Sequence, residues 1–141
     1  MSQEPADCIF CDIINGDAPS TTIYSDDLVV SFMDIFPWGK GHCLVVPKEH
    51  AVTIFELSLE GAEAVMRAVH KIAPALKKAL EPDGLNLFQA NGRAAWQSVD
   101  HFHMHLVPRW ENDGLRPPGT PTPADGAALS DIGEKIKSAL G

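Results

Sequence analysis

Three of the six histidines in this 141-residue chain occupy alternate positions of one short run, QSVDHFHMHLVP, at His101, His103 and His105. Imidazole is neutral or charged near neutral pH, so it can act as nucleophile, acid, base or metal ligand, and a row of three can divide those tasks. A single strand histidine is more often a satisfied structural residue. Three on one face point to a site, for metal binding or for covalent chemistry. Cys8 and Cys11 form a second pair, in the run CIFC. That spacing lets two thiolates reach one tetrahedral ion, and it equally suits a redox pair or two packed thiols. Three cysteines in all argue against a disulfide framework.

The elements that position these groups follow from periodicity. A spacing of two suits one face of a strand, whereas a spacing of four also suits a helix. The residues between the histidines, Phe102, Met104 and Leu106, are apolar and fit for burial, so the run reads as a strand with its imidazoles on the opposite face. Neighbouring imidazoles then lie roughly 6.5–7 Å apart. Upstream, CIFCDIINGD reads as a short helix or turn closed by Gly16. TTIYSDDLVVSFMDI gives two strands joined through Ser25-Asp26-Asp27, FPWGKG breaks the chain, and HCLVVPK gives a third strand. Ser58 is a candidate N-cap for one long helix, on which Val65, Met66, Val69, Ile72, Leu76 and Leu80 recur at helical spacing. Pro74 lies inside it and predicts a kink or break. GLNLFQA and VDHFHMHLVP complete a five-stranded, largely antiparallel sheet of the α+β class. Cys43 and His42 open the third strand, Cys43 as a small buried residue, and His70 lies on the long helix as a surface or partly buried residue.

The rest of the chain is punctuation and a tail. The Pro- and Gly-rich run over residues 111–126 is expected to be an irregular arm, and 127–141 a C-terminal helix with Ser130 as a possible cap. No internal repeat or second domain is evident, so one domain is expected over 1–141, with its core at about 8–110. A hydrophobic content of 45% argues against disorder, and 11 basic against 19 acidic residues give a formal charge of −8. That charge disfavours a nucleic-acid binder held by general attraction to phosphates, yet a few local donors can still hold one small anion. No apolar run approaches the roughly 18–20 residues that span a bilayer, and MSQEPADCIF lacks the regions of a signal peptide. The expectation is a cytoplasmic protein without membrane attachment.

The run His101-Phe102-His103-Met104-His105-Leu106-Val107 resembles the His-φ-His-φ-His-φ-φ signature, φ apolar, of the histidine triad (HIT) nucleotide-binding family. The likeness extends in order to Gln97-Ser98-Val99, to Gly41-His42 leading into LVVPKEH, to Asp34-Ile35 and to CIFCDIINGDAPS. The resemblance implies a HIT-like fold and a purine nucleotide attacked at phosphorus by the middle histidine, here His103. His105 would hold or protonate around the phosphate, with Gln97 and Ser98 as neutral donors. Asp34 would accept from the ribose hydroxyls, Ile35 would pack on the base, and Asn91 is a nucleotide-contact candidate displaced by one position from the usual asparagine. Many members have glycine directly before the glutamine, where this chain has Trp96; an indole there would narrow the leaving-group side or pack on the arm. Asp100 also stands where an apolar or aromatic residue is common.

Some members with the same opening hold a structural zinc with the cysteine pair, a histidine after the VPK strand and the first triad histidine. The matching set is Cys8, Cys11, His50 and His101. A homodimer is expected on the same ground. The implied activity is a hydrolase that removes AMP or GMP from an amine or phosphate through a nucleotidyl-histidine. Alternatives are a dinucleoside polyphosphate hydrolase or nucleotidyltransferase, separated by leaving-group scope, and a nucleotide-binding module with little turnover.

Overall fold

The computed structural model describes residues 7–141; residues 1–6, which carry most of the stretch read for a signal peptide, lie outside them. Side-chain alternation builds the layers. Strands β2 (Val29–Met33) and β3 (Cys43–Pro47) are buried along almost their whole length, because both faces of the sheet are covered there. Val29, Cys43, Val45 and Leu106 point to one side, where helix α2 (Leu59–Leu80) adds Ala64, Val65, Ala68, Val69, Ile72 and Leu76 to a common core. Val30, Phe32, Leu44 and Val46 point to the other, onto Cys8, Phe10 and Cys11 around the short helix α1 (Ile9–Ile14). With β1 (Thr22–Ser25), β4 (Gly84–Gln89) and β5 (Met104–Arg109), the sheet has the order β1-β2-β3-β5-β4, and every neighbouring pair is antiparallel. The expected α+β class and five-stranded sheet are therefore present.

Helix α2 begins where its sequence signal places it. Ser58 Oγ accepts the Gly61 N–H at 3.0 Å, satisfying one of the donors a helix start leaves open. No break occurs at Pro74, since α2 runs unbroken from Leu59 to Leu80. Pro74 lies on the exposed side of the helix, so the His70 carbonyl that loses its partner can turn to water.

The triad strand is also shorter than its alternation suggests. In the β3–β5 register the last pair is Val45 with Met104. Two steps further the same register would set Phe102 against Pro47, which has no N–H to give. The Phe102 N–H donates instead to the Ala51 carbonyl at 2.7 Å, and residues 101–103 continue outside the sheet. The facing still holds: Phe102, Leu106 and Met104 pack with the α2 core, leaving the histidines on the α1 side.

Gly41 sets the approach to His42. Its φ is +84°, and a Cβ there would stand 2.5 Å from Leu80 Cδ1 and 3.0 Å from Pro108 Cγ, so both the left-handed backbone and the close approach require glycine. After Arg109 the arm is irregular to Asp125, whose carboxylate, not Ser130, caps α3 (Gly126–Leu140) at Ala128 N–H. None of α3 is buried, and Leu129, Ile132, Ile136 and Leu140 are more than half exposed.

Candidate functional site

Two groups of buried imidazoles share the α1 face of the sheet. The first is centred on His103, which is 4% exposed. Its Nδ1–H donates to the His101 main-chain carbonyl at 2.7 Å. That bond fixes the tautomer and leaves Nε2 with a lone pair, the form needed for attack on phosphorus. Burial pushes the His103 pKa down, with the His101 carbonyl and Asp34 opposing. Phe10 packs edge-on against the ring at 5.1 Å between centroids, and His105 lies 4.8 Å away.

A chain of hydrogen bonds settles the neighbouring rings. The Trp38 main-chain N–H donates to His42 Nδ1 at 2.9 Å. A neutral His42 must then carry its proton on Nε2, from which it donates to His105 Nδ1 at 2.9 Å, with Asp34 Oδ2 a more distant acceptor at 3.4 Å. His105 is thereby left with its proton on Nε2. The pair of triad histidines thus presents one acceptor nitrogen and one donor nitrogen, although their residue types are identical. Burial, then His103 and His42, push the His105 pKa down to about 4; burial likewise lowers His42.

The second group is Cys8, Cys11, His50 and His101, whose ligand atoms all lie within 4.8 Å of one another. His101 Nε2 donates to the Pro47 carbonyl at 2.8 Å, so Nδ1 is bare and faces Cys8 Sγ at 3.3 Å, Cys11 Sγ at 3.6 Å and His50 Nδ1 at 3.1 Å. Cys11 Sγ and His50 Nδ1 are 3.4 Å apart. A tetrahedral zinc with ordinary Zn–S and Zn–N lengths sets its ligands roughly 3.3–3.8 Å from one another. The residues therefore fit that ion, and the His101–Pro47 bond is the outer-shell partner such a ligand needs. Burial lowers the His101 pKa to about 4, which also suits a lone-pair donor.

The remaining candidates separate. Asp34 lies at the end of β2, its Oδ1 accepting the Phe36 N–H at 2.8 Å, and a carboxylate oxygen keeps capacity for further donors. Ile35 is 81% exposed beside it, and Ser98 is exposed. The side-chain amides of Gln97 and Asn91 are engaged within and around their own loop. Gln97 Nε2 donates to the Val52 and Val99 carbonyls at 2.6 and 3.0 Å while its Oε1 accepts the Gly92 N–H at 2.7 Å. Asn91 Oδ1 accepts from Ile54 N–H and Gln89 Nε2, both at 2.8 Å, and Nδ2 donates to Gln89 Oε1. Both amides tie the loop over residues 91–97 to its surroundings, taking up main-chain groups that have no ladder to join. His42, which sequence reasoning gave no role in the site, links the Trp38 main chain to His105; its signal is the Gly41-His42 step into β3. Cys43 is fully buried and its thiol is pushed up to about 11 by burial, and His70 is exposed on α2.

Sheet, helices and the two imidazole groups define an α+β protein with a site built on alternate histidines. The chain belongs to the HIT domain family, whose family model matches residues 15–112. It is 39% identical over 134 residues to adenosine 5'-monophosphoramidase hnt1 of Schizosaccharomyces pombe, covering 94% of this chain and 98% of that one. The crystal structure of SMU.412c from Streptococcus mutans UA159 superposes with a TM-score of 0.94 at 38% identity, covering 100% and 90% of the two chains. A zinc-bound histidine triad family protein from Mycobacterium smegmatis is 35% identical with a TM-score of 0.74, over 91% and 96%. Among the described residues no helix is long and apolar enough to cross a membrane.

Proposed function

We propose that the protein is a hydrolase that removes a purine nucleoside monophosphate, AMP or GMP, from an amine or phosphate leaving group through a covalent intermediate on His103. The observation that carries this is the 2.7 Å bond from His103 Nδ1–H to the His101 carbonyl, which holds the nucleophilic lone pair on Nε2 beside His105. The name of the yeast relative, a phosphoramidase, supports the leaving-group class.

In the first step the Nε2 lone pair forms a bond to phosphorus, and the bond from phosphorus to the leaving atom breaks with its electron pair going to that atom. The leaving atom accepts a hydrogen bond from His105 Nε2–H and takes its proton from solvent. His42 keeps His105 a donor throughout, so His105 holds charge as it develops and need not be consumed as an acid. Water then attacks phosphorus, the pair returns to His103 Nε2, and one water proton goes to solvent. Asp34 accepts from the ribose hydroxyls, Ile35 packs on the base, and Ser98 lies open as a neutral donor to the phosphate. Gln97 and Asn91 act through the loop they brace.

Cys8, Cys11, His50 and His101 hold zinc as a closed structural shell, which supplies stability by joining α1 to the triad segment. The chain acts as one domain, in the cytoplasm, as a homodimer; exposed Met66 on α2 and Leu87 on edge strand β4 are the apolar surface that favours pairing. The test is AMP release from adenosine 5′-phosphoramidate by the protein and by His103→Ala, with mass spectrometry of acid-quenched protein for the adenylylated form. Equal turnover in both proteins removes His103 as nucleophile.

A further inference from the structure

A cavity of about 510 Å³ has walls that include Trp38, Phe88, Trp96, Val107, Leu115 and Arg116, and two of these, Trp38 and Phe88, also pack on the His105 ring. Phe88 pairs with His105 across β4 and β5, and Asn86 with Val107, so the cavity floor continues the sheet face that carries the catalytic imidazoles. The Trp38 indole lies nearly parallel to the His105 ring, at 14° and 5.6 Å, and Phe88 meets the same ring at 5.6 Å. The ring neighbours of His103 are different: Phe10 and His105. In the proposed in-line displacement the leaving atom accepts from His105 Nε2–H, so the leaving group departs past that ring. Trp38 and Phe88 lead from the His105 ring into the cavity.

Two features of its lining are unusual. Trp96 is held at φ +71°, ψ 28° and is 67% exposed. Left-handed backbone is strained for a bulky side chain, and no burial of the indole offsets that strain. Such strain persists where the conformation serves a site. The second feature is charge. Arg109 is held by a two-pronged pair with Asp113 at 2.7 and 2.8 Å and by Asn86. Arg116 is exposed and takes part in no ion pair among the described residues. An acidic protein thus places one unneutralised guanidinium at the rim of an aromatic cavity, a pairing suited to a flat ring carrying an anion.

Resting on the proposed hydrolase reading, we propose that Trp38, Trp96 and Arg116 form a leaving-group subsite selecting a planar aromatic group with a negatively charged substituent. The ring lies against Trp96 and Trp38, and the carboxylate or phosphate meets Arg116. Trp96 and Arg116 set specificity and take no part in the chemical step.

The test compares kcat/KM for adenosine 5′-phosphoramidates whose amine is ammonia, alanine, phenylalanine or phenethylamine, and for diadenosine tetraphosphate, in the protein, Trp96→Gly and Arg116→Ala. Glycine suits the backbone at position 96, so folding is preserved. Expected is a preference of about tenfold for phenylalanine over alanine, which Trp96→Gly abolishes. The ammonia substrate should turn over equally in protein and variant. Arg116→Ala should slow the phenylalanine substrate and leave the phenethylamine one unchanged. Faster turnover of diadenosine tetraphosphate than of the phenylalanine substrate, lost in Arg116→Ala, would identify a phosphate as the anion; the reverse order identifies a carboxylate. No ring preference in the protein, or equal slowing of every substrate by Trp96→Gly, overturns the subsite. If even the ammonia substrate is inert, the hydrolase reading fails separately. The subsite is then judged by ligand NMR line broadening with 4-nitrobenzoate, expected for the protein and lost in Trp96→Gly; equal broadening in both overturns it.

Discussion

The two imidazole groups on the α1 face are built from the same side chain and differ in where its second nitrogen points. In the Cys8, Cys11, His50 and His101 group the ring nitrogens and sulfurs converge on one point, because the Pro47 carbonyl takes the only proton of His101 away from the centre. In the His42, His103 and His105 group the bonds run head to tail, from Trp38 N–H through two rings, and separately from His103 to a carbonyl. Converging lone pairs suit a cation, whereas alternating donors and acceptors leave one bare nitrogen, His103 Nε2, and one donor, His105 Nε2–H. Main-chain partners decide between the two outcomes.

The widest separation of the groups comes from His103→Ala. It should lower turnover by about 10³-fold or more, while zinc content by elemental analysis and the urea midpoint stay as in the unmodified protein; parallel loss of zinc would merge the groups into one. Next is Cys11→Ser, expected to release zinc and cost about 3 kcal/mol of stability in urea titration. Turnover per folded molecule should hold within about threefold, and a collapse of turnover with the fold intact would sink the structural assignment.

A smaller effect is expected from His42→Asn, which cannot carry the Trp38 signal to His105 with imidazole geometry. Turnover should fall by about 10–100-fold with zinc unchanged, and wild-type rates in that variant would show that His105 needs no orienting partner. The smallest concerns pH. His105 is depressed to about 4 by burial, so the folded state binds fewer protons than the unfolded one between that value and the ordinary histidine range near 6.5. Its contribution is complete above about 6.5 and is lost as pH falls toward 4, amounting to about 1.4 kcal/mol by about pH 5.5. His105→Asn should make the fall of the urea midpoint over that window shallower by about that amount; an unchanged slope would assign the acid loss to the other buried imidazoles, His42, His101 and His103.

The sequence carried the elements whose signals are local. Ser58 and the apolar stripe of α2, the turn around Asp26, and the side of the sheet that each triad residue faces all depend on near neighbours in the chain. What it hid depends on pairing. That Pro47 would stop the ladder opposite Phe102 follows only once β3 and β5 are in register. The consumption of the Gln97 and Asn91 amides follows only once Val52 and Ile54 lie beside them. The zinc quartet came from resemblance, since nothing in the spacing of Cys8, Cys11, His50 and His101 brings three separate segments together. Pro74 does not break α2 because a proline on the solvent side of a helix removes a bond that water can replace.

His101 belongs to both groups at once: its ring turns toward the thiols and its carbonyl oxygen receives the proton of His103. Side chains are open to replacement by a change of codon, but a carbonyl oxygen is present whichever residue is encoded. The His103 imidazole is therefore oriented by an atom that no point mutation can delete, and losing its alignment requires displacing the backbone itself. Erosion of the Cys8, Cys11, His50 and His101 cluster by mutation can accordingly proceed a long way before the His103 ring is mis-set, provided the loop after β3 still grips Phe102.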